Sequence, residues 1–213
     1  MDLGDIVIVI GVIFVSMTIH EVMHGLVAYY LGDDTAKAQG RLTLNPIKHI
    51  DPFLTILLPV LLAVANAPIF GGAKPVPFNP TRLRYGEWGV ALVAVSGPLV
   101  NLLIAFVSFG LMAVLHIGPE TTFGNILGIA TVVNLGFFVF NMIPLPPLDG
   151  SRVLYALAPD FVRRGMETIE RFGLIVILVI VLLASSALGQ FMLAAIQAIL
   201  GVFTAIFGSA TGV

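Results

Sequence analysis

The chain has 213 residues, 58% of them hydrophobic and 10% charged, with a net charge of −2; soluble domains run at about 45–50% apolar and about 25% charged. That balance excludes a soluble globular domain, and near-neutral charge excludes a nucleic-acid-binding surface. The absence of cysteine excludes disulfides and thiolate ligands, so any metal must be held by nitrogen and oxygen. Asp2 and Asp5 stand where a leader would be basic, so no cleavable signal is expected, and one integral-membrane domain over 1–213 is.

Six apolar segments follow one another: 6–31, 53–70, 88–115, 123–143, 172–184 and 191–207. The first is long enough to span a bilayer, for which roughly 20 residues suffice. It is interrupted by Ser16, Thr18 and the run His20-Glu21-Val22-Met23-His24. On a helix His20 and His24 are four apart and share a face, so both imidazoles can reach one metal ion, with Glu21 beside them in the position of a general base. A carboxylate at the centre of a spanning helix costs about 2.5–3.5 kcal/mol on insertion scales, which argues for function. The alternative is a pairing of His20 with Glu21 across helices. Seven residues separate His24 from the segment's end, which sets the site about 10 Å inside. Asp33, Asp34 and Thr35 are candidates for the mouth of a water channel.

The second segment carries Pro52, Pro59 and Pro68 and the polar Asn66, and is expected to enter the bilayer and return, as backbone covered by protein can. If it crossed, Lys37, Arg41 and Lys48 would lie opposite the other seven basic residues; if it returns, all 10 share one side. The second arrangement satisfies the positive-inside rule and puts the N-terminus outside and the long loops in the cytoplasm. Just before this segment, 40–44 alternates polar and apolar residues as a strand would. A short β-hairpin at the cytoplasmic face is therefore expected, and pairing with an extended substrate is one use for it, as it is for the chain at 144–148.

Two histidines leave a catalytic zinc short of a third protein ligand. His116 ends the third segment on the external side, and His49 sits in a polar turn. The third segment also holds Ser96-Gly97-Pro98 and Asn101, read as a packing notch with a hydrogen bond across helices. The fourth, whose Gly124 and Gly128 permit close packing, runs into Asn141-Met142-Ile143-Pro144-Leu145-Pro146-Pro147-Leu148-Asp149-Gly150. Three prolines in four residues cannot continue a helix, and Asp149 before a glycine can turn inward as the third ligand. Its alternative use is to cap the helix that follows. Arg163, Arg164 and Arg171 are expected in the headgroup layer, and the helical pair over 167–208 is a possible gate.

HEVMHG, GRLTLNPIKHIDP, SGPLVN and NMIPLPPLDG occur in that order. Together they resemble the site-2 protease family of intramembrane zinc metalloproteases, in its compact prokaryotic form, over roughly 5–160. The resemblance implies that His20, His24 and Asp149 bind one Zn2+ per chain. It implies that Glu21 activates a water as the catalytic base, and that Asn141 lies close by and positions substrate or the tetrahedral intermediate. The family's PDZ or CBS modules have no counterpart in the chain, so such regulation is expected to be absent or supplied by another protein.

The expected fold is thus an all-α polytopic bundle of about four to six transmembrane helices with a re-entrant segment. The expected function is intramembrane proteolysis of a transmembrane protein substrate, in the cell membrane, by a site opening towards the cytoplasm. Two other classes compete. An ion or metal transporter would space polar residues along several spans, whereas here they converge at one level. A metal-bound partner-binding protein without proteolysis would have no use for Glu21.

Overall fold

The computed structural model describes residues 3–64 and 71–208, and among them every regular element is helical. The α-helices are α1 (Leu3–Tyr30), α2 (Thr35–Ala38), α3 (Leu58–Val64), α4 (Glu87–Val114), α5 (Thr122–Asn141), α6 (Gly150–Leu157), α7 (Asp160–Glu170), α8 (Leu174–Leu183) and α9 (Ser185–Phe207). By length and composition α1, α4, α5 and α9 can each cross a membrane. α8, with 10 residues, falls short of a span.

Three helices make the centre, and side-chain bonds give their directions. His20 meets Asn101 and His24 meets Val93, so α1 and α4 run antiparallel. Asp5 meets Asn125 and Ser16 meets Asn134, so α1 and α5 run parallel. One end of the bundle therefore holds the starts of α1 and α5, with His116 exposed just past α4. The opposite end holds the end of α1, the start of α4 and the end of α5. Every lysine and arginine lies in 32–86 or 142–171, the stretches that connect helices at this second end. α9 packs on the centre through Phe203, Ile196, Ile199 and Leu200 against Ala105 and Leu135.

In the connection from α1 to α4, residues on either side of 56–71 are bonded to each other. Leu54 O accepts from Gly72 N–H at 3.1 Å, Thr55 Oγ1 donates to Gly72 O at 2.6 Å, and His49 O accepts from Lys74 N–H at 2.8 Å. Residues 49–55 and 72–74 are thereby fastened together, where a crossing between them would separate them by about 30 Å of hydrocarbon. The first part of the segment is a π-helical turn over Pro52–Leu57 leading into α3; residues 65–70, including Asn66 and Pro68, lie outside the described residues, and the expected return of the chain falls on them. Local sequence explains the turns. Asn45, Asp51 and Asn79 each precede a proline, and each side chain accepts from a backbone N–H of the turn that follows, the pairing of N-cap acceptor and first-turn proline that starts a helix.

The expected β-hairpin is absent: no strand occurs among the described residues. Alternation at 40–44 produces none; side chains tie this stretch down, one of them at Thr43 O, an acceptor a ladder would use. His49 Nε2 donates to Thr43 O, the Arg41 guanidinium donates to Lys74 O and Pro75 O, and Asn45 caps the turn Pro46–His49. Asp33 also departs from expectation. It is fully buried and accepts from Thr35 N–H and Oγ1–H and from Asn79 N–H, which makes it a clamp between loops instead of part of a channel mouth.

Candidate metal centre

The buried residues of α1 include Ser16, His20, His24 and Ala28, one every four positions and so along one stripe. The aliphatic residues Val7, Ile10 and Val15 of the same helix are exposed. This is the reverse of a soluble helix and suits lipid outside with polar groups packed inward. α4 meets the stripe with Gly97, where an added Cβ would lie 2.5 Å from the His24 ring and 2.7 Å from the His20 ring. Only glycine lets the two imidazoles lie against this helix, and the expected packing notch is found here.

The hydrogen bonds of the imidazoles fix which nitrogens are free. His24 Nδ1 lies 2.8 Å from Val93 O; a carbonyl only accepts, so Nδ1 carries the proton and Nε2 keeps its lone pair. His20 is fixed from further away. Asn134 Nδ2 donates to Ala130 O at 2.8 Å and to Ser16 Oγ at 2.9 Å, which turns its Oδ1 towards Asn101. Asn101 Nδ2 donates to that oxygen at 2.7 Å, leaving its own Oδ1 to accept from His20 Nδ1 at 2.5 Å. The orientation of each amide follows from the partner before it. Both asparagines are fully buried.

Both Nε2 lone pairs and Asp149 Oδ2 then face one another. His20 Nε2 is 3.0 Å from His24 Nε2, and Asp149 Oδ2 is 3.2 Å from the first and 3.5 Å from the second. With both imidazoles neutral, three acceptors at these distances repel unless a cation lies between them. Ligands bound at about 2.0–2.1 Å in a tetrahedral zinc site stand about 3.3 Å apart, so the donor set and its spacing fit zinc. The three residues form the only such group of potential metal ligands found among the described residues.

Asp149 reaches this position because the chain between α5 and α6 is unwound and tightly seated. Its side chain makes no cap bond to α6 although it occupies the N-cap, which disposes of the capping alternative. Leu148 packs with Ile177 and Val181 of α8, and a Cβ on Gly150 would run into the carbonyl of Met142. The Asp149-Gly150 turn is thus pressed against the end of α5, next to Asn141.

Glu21 follows His20 on α1, and its Oε2 accepts from Val76 N–H at 2.8 Å. Asn141 Nδ2 donates to Phe137 O at 3.0 Å within its own helix. His49 and His116 are outside the group, as their sequence contexts suggest. Sequence reasoning missed Asn134 and the Val76 amide. Asn134 carried a signal, being an amide in the middle of an apolar span; the amide of Val76 carried none, because any residue there offers the same N–H.

The model of peptidase family M50 matches residues 115–185. YwhC of Bacillus subtilis (strain 168), provisionally named a zinc metalloprotease, is 44% identical over 204 residues, covering 92% of this chain and 90% of its own. Rip2 of Mycolicibacterium smegmatis (strain ATCC 700084 / mc(2)155), named in the same way, is 28% identical over 188 residues, covering 88% of this chain and 70% of its own. No solved structure matches the chain. With such similarity running nearly end to end, and with a zinc-shaped donor set inside a bundle of apolar helices, this chain belongs to peptidase family M50 and is an intramembrane zinc metalloprotease.

Proposed function

We propose that His20, His24 and Asp149 hold the zinc ion, that Glu21 is the catalytic base, and that Asn141 positions the substrate. The convergence of His20 Nε2, His24 Nε2 and Asp149 Oδ2 within 3.5 Å carries this reading. When bound, zinc supplies Lewis acidity, making water nucleophilic near neutral pH and polarising the scissile carbonyl. The chain's own groups do the rest. The bond from Val76 fixes the Glu21 carboxylate and leaves Oε1 to take the proton of the attacking water and return it to the leaving amine. Asn141, beside the Asp149 turn, offers an amide to the substrate carbonyl. Asn101 and Val93 O keep both imidazoles in the tautomer that presents Nε2.

The substrate of this reading is a transmembrane segment of another protein, unwound at the bond to be cut, as in regulated intramembrane proteolysis. The site opens towards the cytoplasm of the cell membrane, because the basic end of the bundle is the end nearer the site. The whole of 1–213 acts as one domain, with 5–160 as catalytic core and 167–208 as a helical pair that bears on access through the contact of Leu148 with Ile177 and Val181. A transporter is disfavoured: Asn101, Asn134 and Ser16, the polar groups leading away from the site, are buried and spent on one another.

Purified protein should carry one zinc per chain and cleave a membrane substrate. Glu21→Gln should keep the zinc and lose cleavage, whereas His24→Ala and Asp149→Ala should lose both. Zinc retained by either of the last two would overturn the ligand assignment.

A further inference from the structure

We propose that the outward face of α7 is a docking surface for anionic phospholipid headgroups of the bilayer that surrounds the protein. The sequence puts three arginines near this helix, and the structure separates them. Arg163 turns inward, donating to the carbonyls of Tyr155 and Ala156 at the end of α6 and lying over the Tyr155 ring. Two of the three acidic residues of α7 are engaged by α6: Glu170 pairs with Arg152, and Glu167 accepts from Tyr155 Oη at 2.6 Å; the third, Asp160, is exposed and 4.0 Å from Arg163. Besides Asp160, the outward face consists of Phe161, Arg164, Gly165, Thr168, Arg171 and Phe172, spaced three and four apart. Arg164 and Arg171 are exposed, Phe161 is 77% and Phe172 59% exposed, and a Cβ on Gly165 would meet nothing within 4 Å.

Two observations make the occupant a lipid surface. The first is charge: with Glu170 paired to Arg152 and Glu167 held by the Tyr155 hydroxyl on the α6 side, the two exposed cations Arg164 and Arg171 outnumber the one carboxylate beside them, Asp160, and they are framed by aromatic rings that insert at a headgroup boundary. The second is level. Glu167 and Glu170 line a cavity of about 200 Å³ together with Glu87, the first residue of α4, which puts α7 beside the membrane-emergent end of that span. Tyr85 and Trp88 are exposed at the same end, as Tyr30 is at the end of α1, and such a belt of tyrosine and tryptophan marks the interface. Because α6 begins beside Asp149 and is clamped to α7, lipid held here bears on the turn that carries the third metal-facing group. The docking itself does not depend on proteolysis.

The full chain in vesicles of phosphatidylcholine mixed with phosphatidylglycerol provides the test. Lipid retained on extraction should be enriched in phosphatidylglycerol for the wild type, and Arg164→Gln with Arg171→Gln should remove the preference, at about fivefold for each arginine. In a Phe161→Trp variant, lipids brominated near the headgroup should quench the new fluorescence more strongly than lipids brominated at the chain end. Equal lipid selectivity in wild type and double variant would overturn the proposal. So would an unquenched tryptophan, or arginine-dependent binding of soluble polyglutamate without preference between the two lipids.

Discussion

α4 and α9 are both long apolar spans, yet half of the most apolar window of α4 is buried and only 6% of that of α9. Hydropathy does not separate them. The difference lies in residues that lower hydropathy: Ser96, Gly97, Pro98 and Asn101 are buried in α4, while Phe203 is the one buried residue of α9. In a bilayer the outside is as apolar as any core, so small and polar residues mark the interior. The centre of this protein is organised by hydrogen bonds and close approach, its periphery by apolar contact.

The largest effect that sharpens the contrast is on chemistry. Glu21→Gln should lower the cleavage rate by about 10²–10⁴-fold, the usual contribution of a general base, with zinc content unchanged. Gln197→Ala, on the exposed side of α9, should leave the rate unchanged. A comparable loss at both positions would mean that the periphery takes part in the reaction.

Two glycines make the same comparison in stability. Gly97→Ala drives a methyl into both imidazoles and should cost about 1–3 kcal/mol through overpacking, with loss of bound zinc. Gly201→Ala, where a Cβ meets nothing within 4 Å, should be neutral or stabilising by up to about 1 kcal/mol. Thermal denaturation in detergent with parallel metal analysis would measure both, and equal shifts would contradict the packing described for α4.

Asn134→Leu reaches His20, a proposed metal ligand, through two hydrogen bonds. It leaves the Asn101 amide free to turn over, so that His20 loses its fixed acceptor. Zinc affinity should fall by about 10-fold, the lower end for outer partners of a metal-binding histidine. Stability should fall by about 0.6–1.7 kcal/mol, the range for hydrogen bonds between membrane helices. Competition with a fluorescent chelator reads the first; unchanged affinity would mean that Asn101 keeps its orientation without Asn134.

These effects also mark where the sequence was legible. His20, Glu21 and His24 could be read because helical spacing alone puts them together, and Asp149 because three prolines forbid a helix before it. The closeness of the two ends of the 53–70 segment agrees with what the charge distribution led one to expect. The hairpin misread came from alternation at 40–44, a signal that reports a strand only when a neighbouring strand accepts its hydrogen bonds; here Arg41, Asn45 and His49 tie the stretch down instead. The inward turn of Arg163 was not legible either, since arginines one position apart look equivalent until the helix is placed on α6.

The smallest expected effect lies at the loop clamp. Burial would raise the pKa of Asp33, but the hydrogen bonds from Thr35 and Asn79, with help from Arg82, outweigh it and hold the carboxyl below its ordinary value. A group with its pKa depressed on folding stabilises the fold above its unfolded pKa, about 3.9 for aspartate, and loses that contribution as pH falls through the folded value. Asp33→Asn replaces one acceptor with a donor that opposes the Asn79 N–H, so the variant should melt below the wild type at neutral pH. Protonation removes the same acceptor from the wild type, so the gap should narrow as pH drops below about 4. Melting curves across that window decide it: a gap that stayed constant or widened in acid would mean that the clamp holds through shape and not through the charge of Asp33.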